Sequence, residues 1–296
     1  MTNLANFALR ARFPRPVKEF VRAGVERYGT ATSRSRAMPD YVIVGGQRCG
    51  TTSLYQYLIE HPAVGAATTK EVHFFDINYE RGPDWYRGHF PTNAYLRAVA
   101  HRTGMRATTG EASPYYLYHP RAPYRLADML PDAKLVVMLR DPVSRLISHF
   151  HHEVSLGHED QSLERAIELE PERLAGEGDR MLREPTYHSY AHQHHSYFAR
   201  GVYAEQLERW FAVFPREHVL IVESRRFFKE PSGELDRVLG FLGLPPQGRT
   251  TFEAHNARDY VPVSNGLKAS LYERYAPHNE RLCSLLGEDL DWGMKA

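Results

Sequence analysis

The chain has 296 residues, with 37 Lys or Arg and 36 Asp or Glu, so its formal net charge is only +1. Such a balance lacks the broad positive surface that nucleic-acid binding needs, so nucleic acid is not an expected partner. The 42% of hydrophobic residues can fill the core of one enlarged domain. We expect neither a transmembrane segment nor a secretory leader. Because Cys49 and Cys283 are the only cysteines, we expect no disulfide framework and a cytoplasmic location.

Residues 1–38 are predicted to form a basic extension, followed by a single domain over residues 39–296. Residues 1–36 carry eight basic and two acidic side chains, a net charge of +6. A solvated, partly helical arm is the expected structure of this extension. Weak contact with an anionic membrane surface is the alternative.

The first predicted elements of the domain are a strand over 41–45 and a helix over 51–60. The glycine loop between them lets the backbone approach an anion, and the first N–H groups of the helix have no partner within it. This pattern predicts a phosphate-binding loop. Its spacing is that of nucleotide-triphosphate loops, but Thr51 stands where those loops need lysine, and Arg48 is the loop's only cation. A less charged donor group, handled without a metal, fits these residues better.

The next segment, Thr69 to Asp76, is predicted to be a strand or turn over 70–75. It places Glu71, His73 and Asp76 around two phenylalanines. Burial beside aromatic rings raises the pKa of a carboxyl group, so we expect Glu71 to be a general base of raised pKa.

A helix over 82–89, a strand over 107–111, a helix over 120–129 and a strand over 135–140 follow. Arg140 ends the last of these strands. Asp141 then serves as N-cap and Pro142 as first residue of a helix over 142–156, which carries Ser148. Arginine and a hydroxyl at the carboxyl end of a strand predict a second anion site.

The remaining predicted elements are helices over 161–170 and 201–214, a strand over 218–223, and helices over 232–242 and 266–286. Residues 243–265 lack periodicity and are predicted to be a lid. The last helix has an apolar stripe, expected to dock on the sheet. Alternating strands and helices predict an α/β fold, with a P-loop-like central parallel sheet flanked by helices on both faces.

The histidines at 149–152 and 188–195 do not have the spacing of a metal motif, and no cysteine joins them. We therefore expect no metal site. These imidazoles are expected to line the acceptor entrance or to face water.

These segments resemble the sulfotransferases that use 3'-phosphoadenosine 5'-phosphosulfate (PAPS), most closely the heparan sulfate 3-O- and N-sulfotransferases and bacterial carbohydrate sulfotransferases. The resemblance spans roughly Asp40 to Trp292 and implies the sulfotransferase fold. It implies PAPS as co-substrate, its desulfated product PAP, and no required metal. The implied acceptor is a small molecule or glycan, such as a carbohydrate, glycolipid or secondary metabolite, sulfated on a hydroxyl or amine.

The resemblance also implies residue roles. Glu71 would be the catalytic base, assisted by Arg48 and His73, while His73 and Asp76 would face the acceptor. Arg140 and Ser148 would bind the 3'-phosphate. The loop that would bind the 5'-phosphate comprises Arg48, Cys49, Gly50, Thr51, Thr52 and Ser53.

Two departures from the family pattern are visible. Ala112 stands where heparan enzymes usually have lysine, and no K-G-R phosphate contact is recognisable between Phe252 and Ser270, where Arg258 or Lys268 are the nearest candidates. A P-loop kinase and a non-catalytic nucleotide-binding protein remain alternative functions. Acceptor identity and oligomeric state are open.

Overall fold

The structure, a computed structural model, describes residues 15–249, 251–252 and 263–293. Its centre is a five-stranded, fully parallel sheet in the order β2-β3-β1-β4-β5. All five strands therefore end at one edge, called here the carboxyl edge. The strands are β1 Tyr41–Gly45, β2 Val64–Ala66, β3 Thr108–Ala112, β4 Lys134–Leu139 and β5 Val219–Glu223.

Both faces of the sheet are buried. Val42, Val44 and Val137 belong to the apolar core on one face, while Ile43 and Met138 belong to the core on the other. This alternation explains why β1 and β4 read as unbroken apolar runs, since side chains of successive strand residues point to opposite faces. The predicted α/β architecture is confirmed.

The helices cover the sheet at bounds close to those predicted, and Arg140 follows directly after β4 as expected. The α-helices of the described residues are Arg15–Ala31, Thr51–Ile59, Gly82–Arg87, Asn93–Thr103, Ala122–Met129, Pro142–Leu156, Leu163–Leu174, Glu177–Arg183, Tyr190–His194, Tyr203–Phe211, Ser224–Lys229, Pro231–Phe241 and Asn265–Leu286.

Several short elements escape the sequence patterns. Strand β2 has only three residues, too few for a periodicity. In Asn93–Thr103 only Val99 is buried, so the helix shows almost no apolar stripe. The helices Glu177–Arg183, Tyr190–His194 and Ser224–Lys229 have seven, five and six residues.

The described part of the basic extension is not a solvated arm. Its helix, Arg15–Ala31, packs on the helix Gly82–Arg87, so closely that a Cβ on Gly29 would lie 2.4 Å from the Gly88 oxygen. The Glu26 carboxylate lies 3.3 Å from the Arg81 guanidinium. Over residues 15–31 the predicted helix is confirmed, but the expectation that the extension is surrounded by solvent is wrong there, because the helix contacts Gly82–Arg87 along one side.

The last helix, Asn265–Leu286, carries the predicted apolar stripe, with Leu271, Tyr275 and Leu282 buried. It docks mainly on the helices Tyr203–Phe211 and Pro142–Leu156 rather than on the sheet. Residues 250 and 253–262 of the lid predicted over 243–265 lie outside the described residues, so the lid stays a prediction. In the part of the chain that the structure describes, no helix is both long and apolar enough to cross a membrane.

Candidate active site

The glycine loop lies at the carboxyl edge, between β1 and the helix Thr51–Ile59. Gly50 is the N-cap of that helix, with φ of +100°, a conformation that L side chains rarely adopt. A Cβ at this position would also lie 3.0 Å from the Phe228 ring and 3.3 Å from Met138 Cε. Glycine is therefore required twice over, for conformation and for space. The loop is anchored by Arg200, which donates to the Gln47 side chain.

The second predicted anion site meets this loop. Arg48 Nε donates to Ser148 Oγ at 3.1 Å, and Arg140 donates to the Arg48 carbonyl at 3.2 Å. Asp141 caps the helix Pro142–Leu156 as predicted, accepting from the Ser144 N–H at 2.7 Å. The structure thus brings together three cationic or hydroxyl groups that are separated by up to 100 residues in the sequence.

Thr51 and Ser53, at the start of the helix Thr51–Ile59, have buried side chains. Thr51 is 4% exposed and Ser53 is fully buried, and the Ser53 hydroxyl has no hydrogen-bond partner among the described residues. An orphaned hydroxyl beside the free N–H groups of a helix N-terminus is suited to an anion. Cys49 differs, because its thiol lies inside the core, 3.8 Å from the Tyr203 hydroxyl, and burial raises its pKa. Only its backbone can serve the loop.

The segment predicted over 70–75 is an irregular stretch that ends in a turn, not a strand. It forms a chain of three titratable groups. Asp76, which is fully buried, lies 2.7 Å from His73 Nδ1, and His73 Nε2 lies 3.2 Å from Glu71 Oε2. His73 has φ of +53°, a strained conformation for a non-glycine residue. The three predicted residues are therefore brought into direct contact.

The expected rise in the pKa of Glu71 is wrong. Partial burial acts to raise it, but the bond to His73 and the positive charge of Lys70 outweigh burial and lower the pKa to about 2. Burial acts to lower the pKa of His73, but Asp76 and Glu71 raise it to about 10. The two phenylalanines are packed into the core with Tyr86 and leave Glu71 39% exposed. At neutral pH Glu71 is thus a carboxylate and His73 an imidazolium.

The residues that hold the segment of Glu71, His73 and Asp76 in place were not predicted from the sequence. Glu111, fully buried at the end of β3, accepts from the Val72 N–H and from the hydroxyls of Ser113, Tyr116 and Tyr86. Ser113 and Tyr116 in turn accept the N–H groups of the two residues after Val72, at 3.0 and 2.7 Å. Burial raises the pKa of Glu111 to about 7, against the opposing effect of its donors. A glutamate within a predicted strand was the available signal.

Lys70 is a second residue that was not predicted to belong to the site. Its ammonium group donates to Glu71, and its carbonyl accepts the N–H of Ala112 at 3.0 Å. Ala112, where the resemblance implied a lysine, is fully buried in the core. Lys70 places a cation beside Glu71 from the chain next to that position.

The histidines are not simply solvent-facing. Glu153 lies 2.8 Å from His194 Nδ1, and ligand atoms of Glu153, His158 and His194 lie within 4.8 Å of one another, close enough to hold a cation. The His158 and His194 rings are tilted against each other, with centroids 4.1 Å apart. Without an ion these contacts form a polar network, so the expected absence of a metal site stays a prediction.

The comparisons with known proteins agree on one family. The Sulfotransferase domain family matches residues 38–261. Human heparan sulfate glucosamine 3-O-sulfotransferase 3B1 is 34% identical over 284 residues, which cover 88% of this chain and 66% of that protein. Human heparan sulfate glucosamine 3-O-sulfotransferase 6 is 30% identical over 293 residues, 87% of this chain and 75% of that protein.

A solved structure agrees with them. The crystal structure of a sulfotransferase from Alicyclobacillus acidocaldarius matches with a TM-score of 0.61 at 30% identity, covering 86% of this chain and 97% of that one. The resemblance inferred from the motifs is confirmed. This chain belongs to the sulfotransferase family and is a sulfotransferase enzyme.

Proposed function

We propose that this enzyme transfers a sulfuryl group from PAPS to a hydroxyl or amine of a glycan or other small acceptor. The observation that carries the proposal is the meeting of two anion sites, in which Arg48 contacts Ser148 and Arg140 contacts Arg48. PAPS carries two separate phosphates, and no single-phosphate donor needs both sites. The relatives named above act on heparan sulfate, which supports a glycan acceptor for this chain.

The residues present fit this donor. The helix N-terminus after Gly50, with Thr51, Thr52 and the orphaned Ser53 hydroxyl, would bind the 5'-phosphate. Arg140 and Ser148 would bind the 3'-phosphate. Bound PAPS supplies an electrophilic sulfur and a phosphate leaving group. Arg48, between the two sites, stabilises the negative charge that grows on that leaving group.

Glu71 takes the proton of the acceptor as the acceptor's oxygen or nitrogen attacks sulfur and the bond from sulfur to the leaving phosphate oxygen breaks. Its low pKa in the free enzyme depends on Lys70 and His73. Donor binding draws the Lys70 ammonium toward the anionic sulfuryl group, which removes one of those two effects and makes Glu71 a stronger base. His73, held as imidazolium by Asp76, keeps Glu71 oriented.

The test compares PAPS-dependent sulfation of a panel of glycan acceptors by wild type and Glu71→Gln. Loss of a general base costs about 10²- to 10⁴-fold in rate. Glu80→Gln, which changes an exposed carboxylate nearby, is the matched control and should keep wild-type activity. Turnover by Glu71→Gln within a few fold of wild type would exclude Glu71 as the base.

The two alternative functions, a P-loop kinase and a non-catalytic nucleotide-binding protein, can each be tested directly. A P-loop kinase would require Mg²⁺ and turn over the γ-phosphate of ATP, but Thr51 stands in place of the lysine that such enzymes need. A non-catalytic protein would bind PAP normally and sulfate no acceptor. The cytoplasmic location stays a prediction.

A further inference from the structure

A cavity of about 310 Å³ lies between the N-terminal helix Arg15–Ala31 and the body of the domain. The helix contributes Val21, Gly24, Val25 and Tyr28, and the body contributes three apolar and three polar residues, which are Ala66, Phe90 and Pro91, and Arg36, Thr68 and His89. The volume is at the lower end of the range for small-molecule pockets, about 300 to 1,000 Å³. None of the residues assigned above to the donor or to the base lines this cavity.

The apolar wall of the cavity continues into solvent. Val17 and Phe20 are 43% and 81% exposed, and they lie on the same helix face as Val21 and Gly24, because residues three or four apart are neighbours on a helix. The apolar residues between positions 17 and 28 therefore form a track about 16 Å long on this helix, and Tyr28 at its far end is 51% exposed.

A buried cation lies beside the Tyr28 end of this track. Arg36 is 8% exposed, lines the cavity, and has its guanidinium carbon 5.5 Å from the Tyr28 ring centroid. Its guanidinium donates to neutral groups, the Phe90 carbonyl at 2.7 Å and the Thr32 hydroxyl at 2.8 Å.

No carboxylate among the described residues forms an ion pair with Arg36. Glu26 carries the nearby negative charge and is already bonded to Arg22 at 3.2 Å and to Arg81 at 3.3 Å. A buried cation without an anionic partner is costly, so an anion in the cavity would be stabilised.

Among the described residues that line the cavity, Arg36 is the only charged group. The other polar lining residues are Thr68 and His89, whose Oγ1 and Nδ1 lie 2.9 Å apart. Burial lowers the pKa of His89 to about 4, so its ring is neutral at physiological pH. Recognition of charge at this site therefore depends on Arg36 alone.

We propose that the cavity binds a small aliphatic carboxylate, with its carboxylate on Arg36 and its chain along Val25 and Val21 toward Phe20. One charged end and one apolar track match an amphiphile with one anionic head and one tail. Thr68, in the same wall, comes three residues before Glu71. The ligand therefore lies beside the start of the catalytic segment but outside the donor site.

The test titrates the full-length protein with decanoate and, separately, with 1-decanol by calorimetry. We expect saturable one-to-one binding of decanoate, at least tenfold tighter than that of the uncharged alcohol. Arg36→Met should weaken decanoate binding at least tenfold and leave decanol binding unchanged. Absence of saturable decanoate binding, or equal affinity of wild type for both probes, would overturn the proposal.

Gly24 offers a variant that fills the cavity without disturbing the fold. A Cβ at Gly24 meets no atom within 4 Å, and leucine favours a helix more than glycine does. Gly24→Leu should therefore fold and lose at least tenfold in decanoate affinity. Gly240→Leu, at an equally open helical glycine far along the chain, is the matched control and should bind as wild type does. Unchanged binding by Gly24→Leu would place the ligand elsewhere and refute the proposal.

Discussion

Replacing Glu111 by glutamine tests whether residues 70–76, which contain Glu71, His73 and Asp76, are held in place by one buried carboxyl group. Glu111 is fully buried and accepts four hydrogen bonds, one of them from the Val72 N–H between Glu71 and His73. Its pKa in the folded protein is raised from 4.5 to about 7. The folded state therefore binds a proton here that the unfolded state has lost between these two pH values.

The sign of the effect on stability follows from that difference. A raised pKa contributes stability that is fully present below pH 4.5 and is lost as the pH rises through 7. At about 1.36 kcal/mol per pKa unit, the whole contribution is about 3 kcal/mol, and about 2.5 kcal/mol of it disappears between pH 5 and 8. Glutamine cannot titrate, so Glu111→Gln lacks this pH dependence.

The assay is urea unfolding of wild type and Glu111→Gln at pH 5 and pH 8. The difference in free energy of unfolding between wild type and the variant should decrease by about 2.5 kcal/mol from pH 5 to pH 8. The other titrating groups are present in both proteins, so their contributions cancel in this difference. The variant should also lose sulfation activity, because its amide cannot accept all four bonds. A difference in stability that is the same at both pH values would refute the reasoning.

Three further predictions concern the site. Gly50→Ala should lower the free energy of unfolding by about 1 to 3 kcal/mol and weaken PAP binding. The control Gly104→Ala, at φ of +69° with open space around it, should lower stability alone, so equal PAP affinities of the two variants would contradict this prediction. Asp76→Asn should lower the pKa of His73 from about 10, so an NMR titration of its ring should show an inflection near neutral pH that wild type lacks. Lys70→Met should raise the pKa of Glu71 in the free enzyme, because the Lys70 charge lowers it, so the acidic limb of the kcat/KM–pH profile should move to higher pH while the Kd of PAP stays within a few fold. An unchanged pH profile would exclude the role given to Lys70.

The architecture was accessible from the sequence because it depends on strong local signals. Unbroken apolar runs at β1 and β4, the glycine loop after β1, and Asp141-Pro142 after β4 each determine a local structure with few alternatives. The prediction of two anion sites follows from those signals, since parallel strands end at the same edge.

The electrostatics of Glu71, the proposed base, could not be predicted from these local signals. The two phenylalanines after His73 suggested that the Glu71 carboxyl group is buried away from water. In an irregular segment, however, the direction of a side chain depends on the hydrogen-bond partners of the segment. Those partners, Glu111 and Ser113, are about 40 residues away in the sequence. The same limit applies to the basic extension, whose packing depends on Gly29 meeting Gly88.

The most direct test of the account is calorimetric titration of the purified enzyme with PAP, without metal, against ADP and against ATP with Mg²⁺. The account predicts tight metal-independent binding of PAP, weaker binding of ADP, which lacks the 3'-phosphate, and loss of the preference for PAP in Arg140→Ala. Preference for ATP with Mg²⁺, or PAP affinity unchanged by Arg140→Ala, would contradict the assignment of the two anion sites to PAPS.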